Sequence, residues 1–111
     1  MAVVFVKDKV TKEDLSAARE EYGKYVKIVI DINNNLMIIG GEWHADGEKV
    51  LLEQGADKNS IWGGGMDVDT NNIETIALIN LRPGLGNNSQ EILDKRVREK
   101  FISIVKERFD L

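Results

Sequence analysis

The sequence has no cysteine, one proline and a single histidine, His44, among its 111 residues. Without cysteine it has no disulfide framework, no thiolate zinc site and no thiol nucleophile. Its first apolar run, residues 2–6, gives way at once to Lys7-Asp8-Lys9. That run is too short for a signal peptide or a membrane span, so we expect a cytoplasmic protein with no membrane partner. The length predicts a single globular domain over residues 1–111.

Clustered positive charge is also scarce. The formal net charge is −4, and residues 31–80 hold nine acidic residues against two lysines, Lys49 and Lys58. Nucleic-acid binding relies on clustered Lys and Arg that displace counterions from the phosphate backbone. The acidic centre therefore predicts no nucleic-acid partner.

The apolar pattern predicts an α+β fold: a mixed, largely antiparallel five-stranded sheet with two main helices and one short helix packed against it. We expect the first strand to be buried on both faces and the fourth to be halted or bulged by Gly63-Gly64-Gly65. Asn33-Asn34-Asn35 predicts a tight hairpin turn. The predicted strands span residues 2–6, 25–32, 36–39, 60–62 and 73–81.

The first helix has the clearest end signals. Thr11 and Asp14 have the spacing of a capping box. An apolar stripe that starts at Leu15 and runs to Tyr22 predicts the buried face, and Gly23 predicts the end of the helix.

The last helix is predicted from its apolar stripe. Asn88 and Glu91 repeat the capping-box spacing, which predicts that the helix begins there. The stripe repeats at spacings of three and four residues. Its members are Leu93, Val97, Phe101, Ile104, Val105 and Phe109.

The first candidate site is Glu42, His44 and Asp46. If the chain is extended through His44, Glu42 and His44 point to the same side, and the carboxylate can orient the imidazole as a catalytic base. Asp46 is then the N-cap of the short helix. A divalent metal held by nitrogen and oxygen ranks lower, because the helical spacing usual for such ligands is missing, and we predict no metal. In the alternative interpretation Asp46 is only a cap, Glu42 is solvated and His44 is a half-buried polar ring.

The second candidate site follows the fifth predicted strand. Asn80 and Arg82 share one face of that strand, and Asn87, Asn88 and Ser89 precede the last helix. Free amides, the helix dipole and a guanidinium together favour a small anionic ligand. The glycines form neither a dinucleotide fingerprint nor a P-loop. The alternative is a capped helix behind a well-formed turn.

Asp67-x-Asp69-x-Asn71 begins like a calcium-binding loop. Asn72 stands where the turn glycine of such a loop belongs, so we expect a solvated hairpin loop instead.

Two motifs in the chain carry a family resemblance: Gly40-Gly41-Glu42-Trp43-His44-Ala45-Asp46 and Asn80-Leu81-Arg82-Pro83. With them the chain resembles a family of small uncharacterised prokaryotic proteins with a Gly-Gly-Glu-x-His-Ala-Asp segment and a later Asn-x-Arg-Pro motif. The resemblance covers nearly the whole chain. It implies that both polar clusters belong to one recurring design, and it implies no activity, cofactor or ligand.

Two functions remain open at this stage. The first is a small-anion site built from residues 42–46 and 80–89, with hydrolase or transferase chemistry at Glu42 and His44. The second is a non-catalytic interaction module or homodimer that uses the first strand or the last helix. Trp43 and Trp62 are either core residues or walls of a pocket. Whether the protein is an enzyme, and which cofactor it would use, the sequence leaves open.

Overall fold

The computed structural model describes residues 1–20 and 23–111, which form five β-strands and three α-helices. The strands are β1 (Val3–Val6), β2 (Tyr25–Asp31), β3 (Leu36–Gly40), β4 (Ile61–Asp67) and β5 (Ile73–Glu74). The helices are α1 (Lys12–Ala18), α2 (His44–Glu53) and α3 (Lys95–Arg108). The predicted α+β class is confirmed. Tyr22, predicted at the end of the first apolar stripe, lies outside the described residues.

The sheet has the strand order β1-β3-β2-β4-β5. The sequence predicted a mixed, largely antiparallel sheet, and each of these four neighbouring pairs is antiparallel. The crossover through α1 does bring β2 back in the direction of β1. However, β3 pairs with both strands and lies between them, so the crossover creates no parallel pair.

Strand β2 divides the core between the two faces of the sheet. Val26, Ile28 and Ile30 pack in a cluster that includes residues of α1 and α3. Val29, of opposite parity, packs with Leu51 of α2. The sheet is therefore a middle layer, with α1 and α3 on one face and α2 alone on the other.

The turn between β2 and β3 is the predicted asparagine hairpin. The buried carboxylate of Asp31 accepts hydrogen bonds from the backbone of Asn33 at 3.0 Å and from the side chain of Asn34 at 2.8 Å. Asn35 has a φ of 55°, a left-handed conformation that asparagine tolerates better than most residues. This prediction is confirmed.

The prediction that three glycines halt or bulge β4 is wrong. β4 continues through all three, and each is paired in register with β2. A Cβ at Gly63 would lie 2.7 Å from the Ala77 side chain, one at Gly64 2.8 Å from the Phe101 ring, and one at Gly65 would overlap the Tyr25 side chain. The glycines are needed because side chains from both faces already fill the space beside this strand.

Two predicted strands differ from the structure. β1 is an edge strand with Val3 41% exposed, so the prediction that it is buried on both faces is wrong. The fifth strand ends at Glu74 instead of continuing to Leu81. Beyond it, residues 78–80 and 83–85 form short 3₁₀ turns.

Asn80 explains why the chain leaves the sheet. Its side-chain Oδ1 accepts a hydrogen bond from the amide of Gly63 at 2.8 Å, and its Nδ2 donates to the carbonyl of the same residue at 2.9 Å. One buried amide side chain thus makes the two bonds that a neighbouring strand would make with β4. The apolar alternation of residues 73–81 cannot reveal this replacement.

The helix ends were predicted with mixed success. Thr11 and Asp14 form the predicted capping box of α1, but the helix ends at Ala18, before Gly23. The prediction that Asn88 and Glu91 begin the last helix is wrong, because α3 begins at Lys95 under an Asp94 cap. The predicted apolar face of α3 is confirmed at Phe101 and Val105, which are fully buried in the core.

Candidate functional site

The first predicted cluster lies at the turn from β3 into α2. Gly40 and Gly41 both have a φ of 86°, which reverses the chain so that α2 begins at His44. The extended conformation through His44, on which the pairing of Glu42 with His44 depended, is therefore not formed. Asp46 is not the N-cap: it is the third residue of the helix, and its carboxylate accepts a hydrogen bond from the amide of Trp43 at 2.9 Å.

His44 is held by the sheet. Its Nε2 lies 2.7 Å from the carbonyl oxygen of Gly64 on β4. Because a carbonyl only accepts hydrogen bonds, Nε2 carries the proton. Glu42 is exposed and makes no hydrogen bond to residues 1–20 or 23–111, so the predicted contact that would orient the ring is made by Gly64 instead.

The surroundings of His44 favour its neutral form. Burial lowers the pKa of the imidazole below 6.5, the hydrogen bond to Gly64 opposes that shift, and the charge of Lys27 adds to it. At neutral pH the ring therefore has a lone pair on Nδ1. Within the described chain Nδ1 has no hydrogen-bond partner, and it is not among the fully buried atoms that lack one. It is thus accessible from outside.

A small groove opens beside this ring. It has a volume of about 230 Å³ and is lined by Trp43, His44, Ala45, Leu78 and Ile79. Trp43 is 65% exposed and Leu78 68% exposed, which is unusual for large apolar side chains. The groove joins the first predicted cluster to the chain just before the second. Trp43 is therefore a pocket wall.

Arg82 is occupied by contacts within the protein. Its Nη2 lies 3.0 Å from Oε2 of Glu48 on α2, and its Nη1 donates to the carbonyl of Ile61. The guanidinium stacks over Trp62, a core residue that is 5% exposed, 5.1 Å from the ring centroid. The Arg82 side chain is itself only 10% exposed. An anion at this guanidinium would have to displace Glu48.

The remaining predicted residues stabilise the segment that follows β5. Asn87 is buried, and its Nδ2 donates to the carbonyls of Asn80, Ser89 and Glu91 at 2.8 to 3.0 Å. Ser89 accepts a hydrogen bond from the amide of Glu91 at 3.1 Å. Asn88 is exposed. Asn80, Asn87 and Ser89 therefore make structural contacts with the backbone of this segment.

Lys27 and Tyr25 were not among the site residues predicted from the sequence. Lys27 pairs with Gly65 across the sheet, and its side chain is only 17% exposed. Its Nζ lies 3.5 Å from a carboxylate oxygen of Glu20. Tyr25 lies against Gly65, and burial raises the pKa of its phenol to about 12. The sequence signal that could have indicated Lys27 is a lone lysine inside an apolar strand, on the same face of the strand as Val29.

No metal centre is evident in the part of the chain that the structure describes, where His, Asp and Glu never group in threes. The loop at Asp67 is the expected hairpin between β4 and β5. The Asp67 carboxylate accepts from the amides of Asp69 and Thr70 at 2.9 and 3.1 Å. Among residues 1–20 and 23–111 there is also no helix long and apolar enough to cross a membrane.

The molecule belongs to the class of α+β proteins with an antiparallel sheet between helices, with one small apolar groove beside its histidine. The sequence shows the family. A family model described as protein of unknown function (DUF5674) matches residues 4–108, and the chain belongs to that family. No curated protein and no solved structure matches it. Membership of an uncharacterised family was predicted and is confirmed, while prokaryotic origin and the two family motifs stay predictions.

Proposed function

We propose that the protein binds a small ligand in the groove at the start of α2. The observation that carries the proposal is a groove lined by two exposed apolar side chains, Trp43 and Leu78, and by one polar group, the His44 ring. Binding sites for small molecules are concave and mostly apolar, with a few placed polar atoms. The apolar part of the ligand would cover Trp43 and Leu78, whose exposure to water is unfavourable in the free protein.

His44 supplies the polar anchor. The bond from Nε2 to Gly64 fixes the ring against β4, so Nδ1 is the ring nitrogen left for a ligand in the groove that His44 lines. Nδ1 accepts a hydrogen bond in the neutral ring and donates one in the charged ring. The anchor can therefore bind a donor or, after gaining a proton, an anion.

Binding is better supported than the hydrolase or transferase chemistry expected from Glu42 and His44. The Glu42 carboxylate makes no hydrogen bond within the described residues, so the expected carboxylate–imidazole pair is not formed, and the ring is held by the carbonyl of Gly64 instead. Arg82, the expected anion-binding group, is paired with Glu48. The proposal is therefore a binding protein, with His44 as an anchor.

The proposal is tested by titrating phenol and toluene into labelled protein and following the amide resonances by NMR. We expect both probes to shift resonances of residues 43–45 and 78–79, and phenol to bind more tightly because its hydroxyl reaches Nδ1. Trp43→Ala should weaken binding of both about tenfold, as removal of a central aromatic contact does. Leu52→Ala is the matched control, since Leu52 is an exposed apolar residue (39%) near the other end of α2. Shifts that avoid the groove would contradict the proposal.

The interaction-module alternative is favoured by one observation at the same place. Trp43 and Leu78 are exposed enough to bind a second copy of the chain or another protein. The last helix offers less, because Phe101 and Val105 of its apolar face are buried against the sheet. Sedimentation across a dilution series distinguishes the two functions: a dimer that dissociates on dilution, and that Trp43→Ala abolishes, would favour the alternative.

A further inference from the structure

We infer that the polar group of the ligand is a carboxylate, which Lys27 binds together with His44. This inference rests on the proposed function, and it names the chemical class of the ligand and a residue that determines it. Lys27 takes the role that the sequence suggested for Arg82.

The pairing of the strands places Lys27 beside the anchor. Lys27 lies opposite Gly65 in the β2–β4 register, and Gly65 follows Gly64, whose carbonyl binds His44. Lys27 shares its face of the sheet with Val29, which contacts Gly47 of α2. The helix thus crosses this face over Val29, and its first residue lies at the Lys27 end.

Lys27 is also the more available of the two cations. Arg82 makes a carboxylate contact at 3.0 Å, a backbone contact and an aromatic contact. Lys27 has Glu20 as its ion-pair partner at 3.5 Å, and the Glu20 side chain is 42% exposed. A partner so exposed to water holds a cation weakly. A ligand carboxylate at the apolar groove can therefore replace it, and the low exposure of Lys27 strengthens the new pair.

The chemistry of His44 adds a proton to the binding equilibrium. Since Nε2 already donates to Gly64, the ring can donate to a carboxylate only after Nδ1 gains a proton. Binding then takes up one proton from solution, and the affinity rises as the pH falls.

His44 is the group that can produce this dependence near neutral pH. Carboxylates titrate well below this range, and lysine and tyrosine well above it. The Asp46 carboxylate is in addition engaged by the Trp43 amide, and that of Glu48 by Arg82. The other ionisable side chains on α2, β2, β4 and β5 are Asp46, Glu48, Lys49, Glu53, Tyr25, Lys27, Asp31, Asp67 and Glu74, and Glu20 and Glu42 lie on the adjoining loops.

The test compares benzoate with phenol, which has a similar ring but no charge at neutral pH. We expect Lys27→Met to weaken benzoate binding about tenfold, the effect of losing one partly buried charge contact, and to leave phenol binding within about twofold. Lys27→Arg should restore benzoate binding. Glu20→Gln should strengthen it several-fold because it removes the competing carboxylate. Lys49→Met, an exposed lysine on α2, is the matched control and should change neither affinity.

The proton is tested by calorimetry at about pH 5.5 and about pH 7.5, where the probe stays ionised while an imidazole titrates. Benzoate should bind about tenfold more tightly at the lower pH, a dependence that phenol does not show and that His44→Gln removes. The fold of each variant is checked by its NMR spectrum. If His44→Gln does not fold, calorimetry of the wild type in two buffers of different ionisation enthalpy measures whether benzoate binding takes up a proton.

The two proposals fail differently. If neither phenol nor benzoate shifts the groove resonances, the proposed function fails and this inference fails with it. If phenol binds in the groove but benzoate does not, or benzoate binding is indifferent to Lys27→Met, the inference is overturned and the proposed function stands.

Discussion

The two polar segments of this protein look equally promising as sequence but have opposite environments in the fold. In residues 80–89, the buried amides of Asn80 and Asn87 are bonded to backbone groups, and Arg82 is paired with Glu48. In residues 42–46, Trp43 is exposed and Nδ1 of His44 has no partner within the described chain. Polar side chains that bond mainly to groups inside the protein stabilise it. Those left open beside an apolar groove are available to a ligand.

The largest expected effect tests the internal role of Asn80. Replacing it with alanine leaves the amide and carbonyl of Gly63 without partners. Two buried unsatisfied backbone groups should cost about 3–5 kcal/mol of unfolding free energy, measured by urea denaturation. Asn88→Ala, at an exposed position of the same segment, is the control and should cost less than about 0.5 kcal/mol. A loss below about 1 kcal/mol for Asn80→Ala would contradict the stabilising role assigned to the polar side chains of residues 80–89.

Arg82 gives the next largest effect. Arg82→Ala leaves the Glu48 carboxylate, whose side chain is 15% exposed, without its cation, and should cost about 3 kcal/mol. The double variant Arg82→Met with Glu48→Met should regain part of that stability, because it removes both charges. If Arg82→Ala instead left stability unchanged and abolished benzoate binding, Arg82 would be a ligand-binding residue after all.

A smaller effect concerns the pH dependence of stability. The pKa of His44 is lowered in the folded protein, mainly by burial, so the unfolded chain binds a proton more readily. Its contribution to stability is present above pH 6.5 and is lost as the pH falls through the folded pKa. Urea denaturation at several pH values should therefore show a decline for the wild type below pH 6.5 that is weaker in His44→Gln. Parallel profiles would show that the ring is not protected by burial.

The smallest effect on stability is expected at Trp43. Its side chain is 65% exposed, so Trp43→Ala should change the unfolding free energy by no more than about 0.5 kcal/mol. The same variant should have the largest effect on phenol binding. A thermal melt and an NMR titration on one sample measure both quantities. A large loss of stability would mean that Trp43 belongs to the core.

Patterns that depend on short spacing predicted the structure well. The Thr11–Asp14 box and the asparagine hairpin each depend on residues a few positions apart, and both are confirmed. The Asn88–Glu91 spacing is an exception, since no helix begins there. Several other errors come from long-range contacts. Nothing near Gly63 in sequence indicates that Asn80 will bond to it across 17 positions.

The candidate site shows the same limit. The sequence indicated His44, but not Gly64, which holds its ring, because 20 positions separate them. Lys27 was not predicted because a lysine in a strand usually lies in solvent. Only the position of α2 makes it a neighbour of His44. The tight turn at Gly40 and Gly41 was equally hidden, since a glycine pair fits both a continued strand and a reversal.

The bond pattern of Asn80 also bears on aggregation. A strand with free backbone groups at the edge of a sheet is a template on which another chain can add, and a flat apolar strand rich in glycine is especially exposed to this. The short β5 pairs only with Gly65 and Met66 of β4, so the first half of β4 extends past it. There the Asn80 amide bonds to the backbone groups of Gly63 that a strand from another molecule would use. One side chain thus ends the growth of the sheet at this edge. Loss of Asn80 should therefore reduce solubility as well as stability, through association of folded molecules.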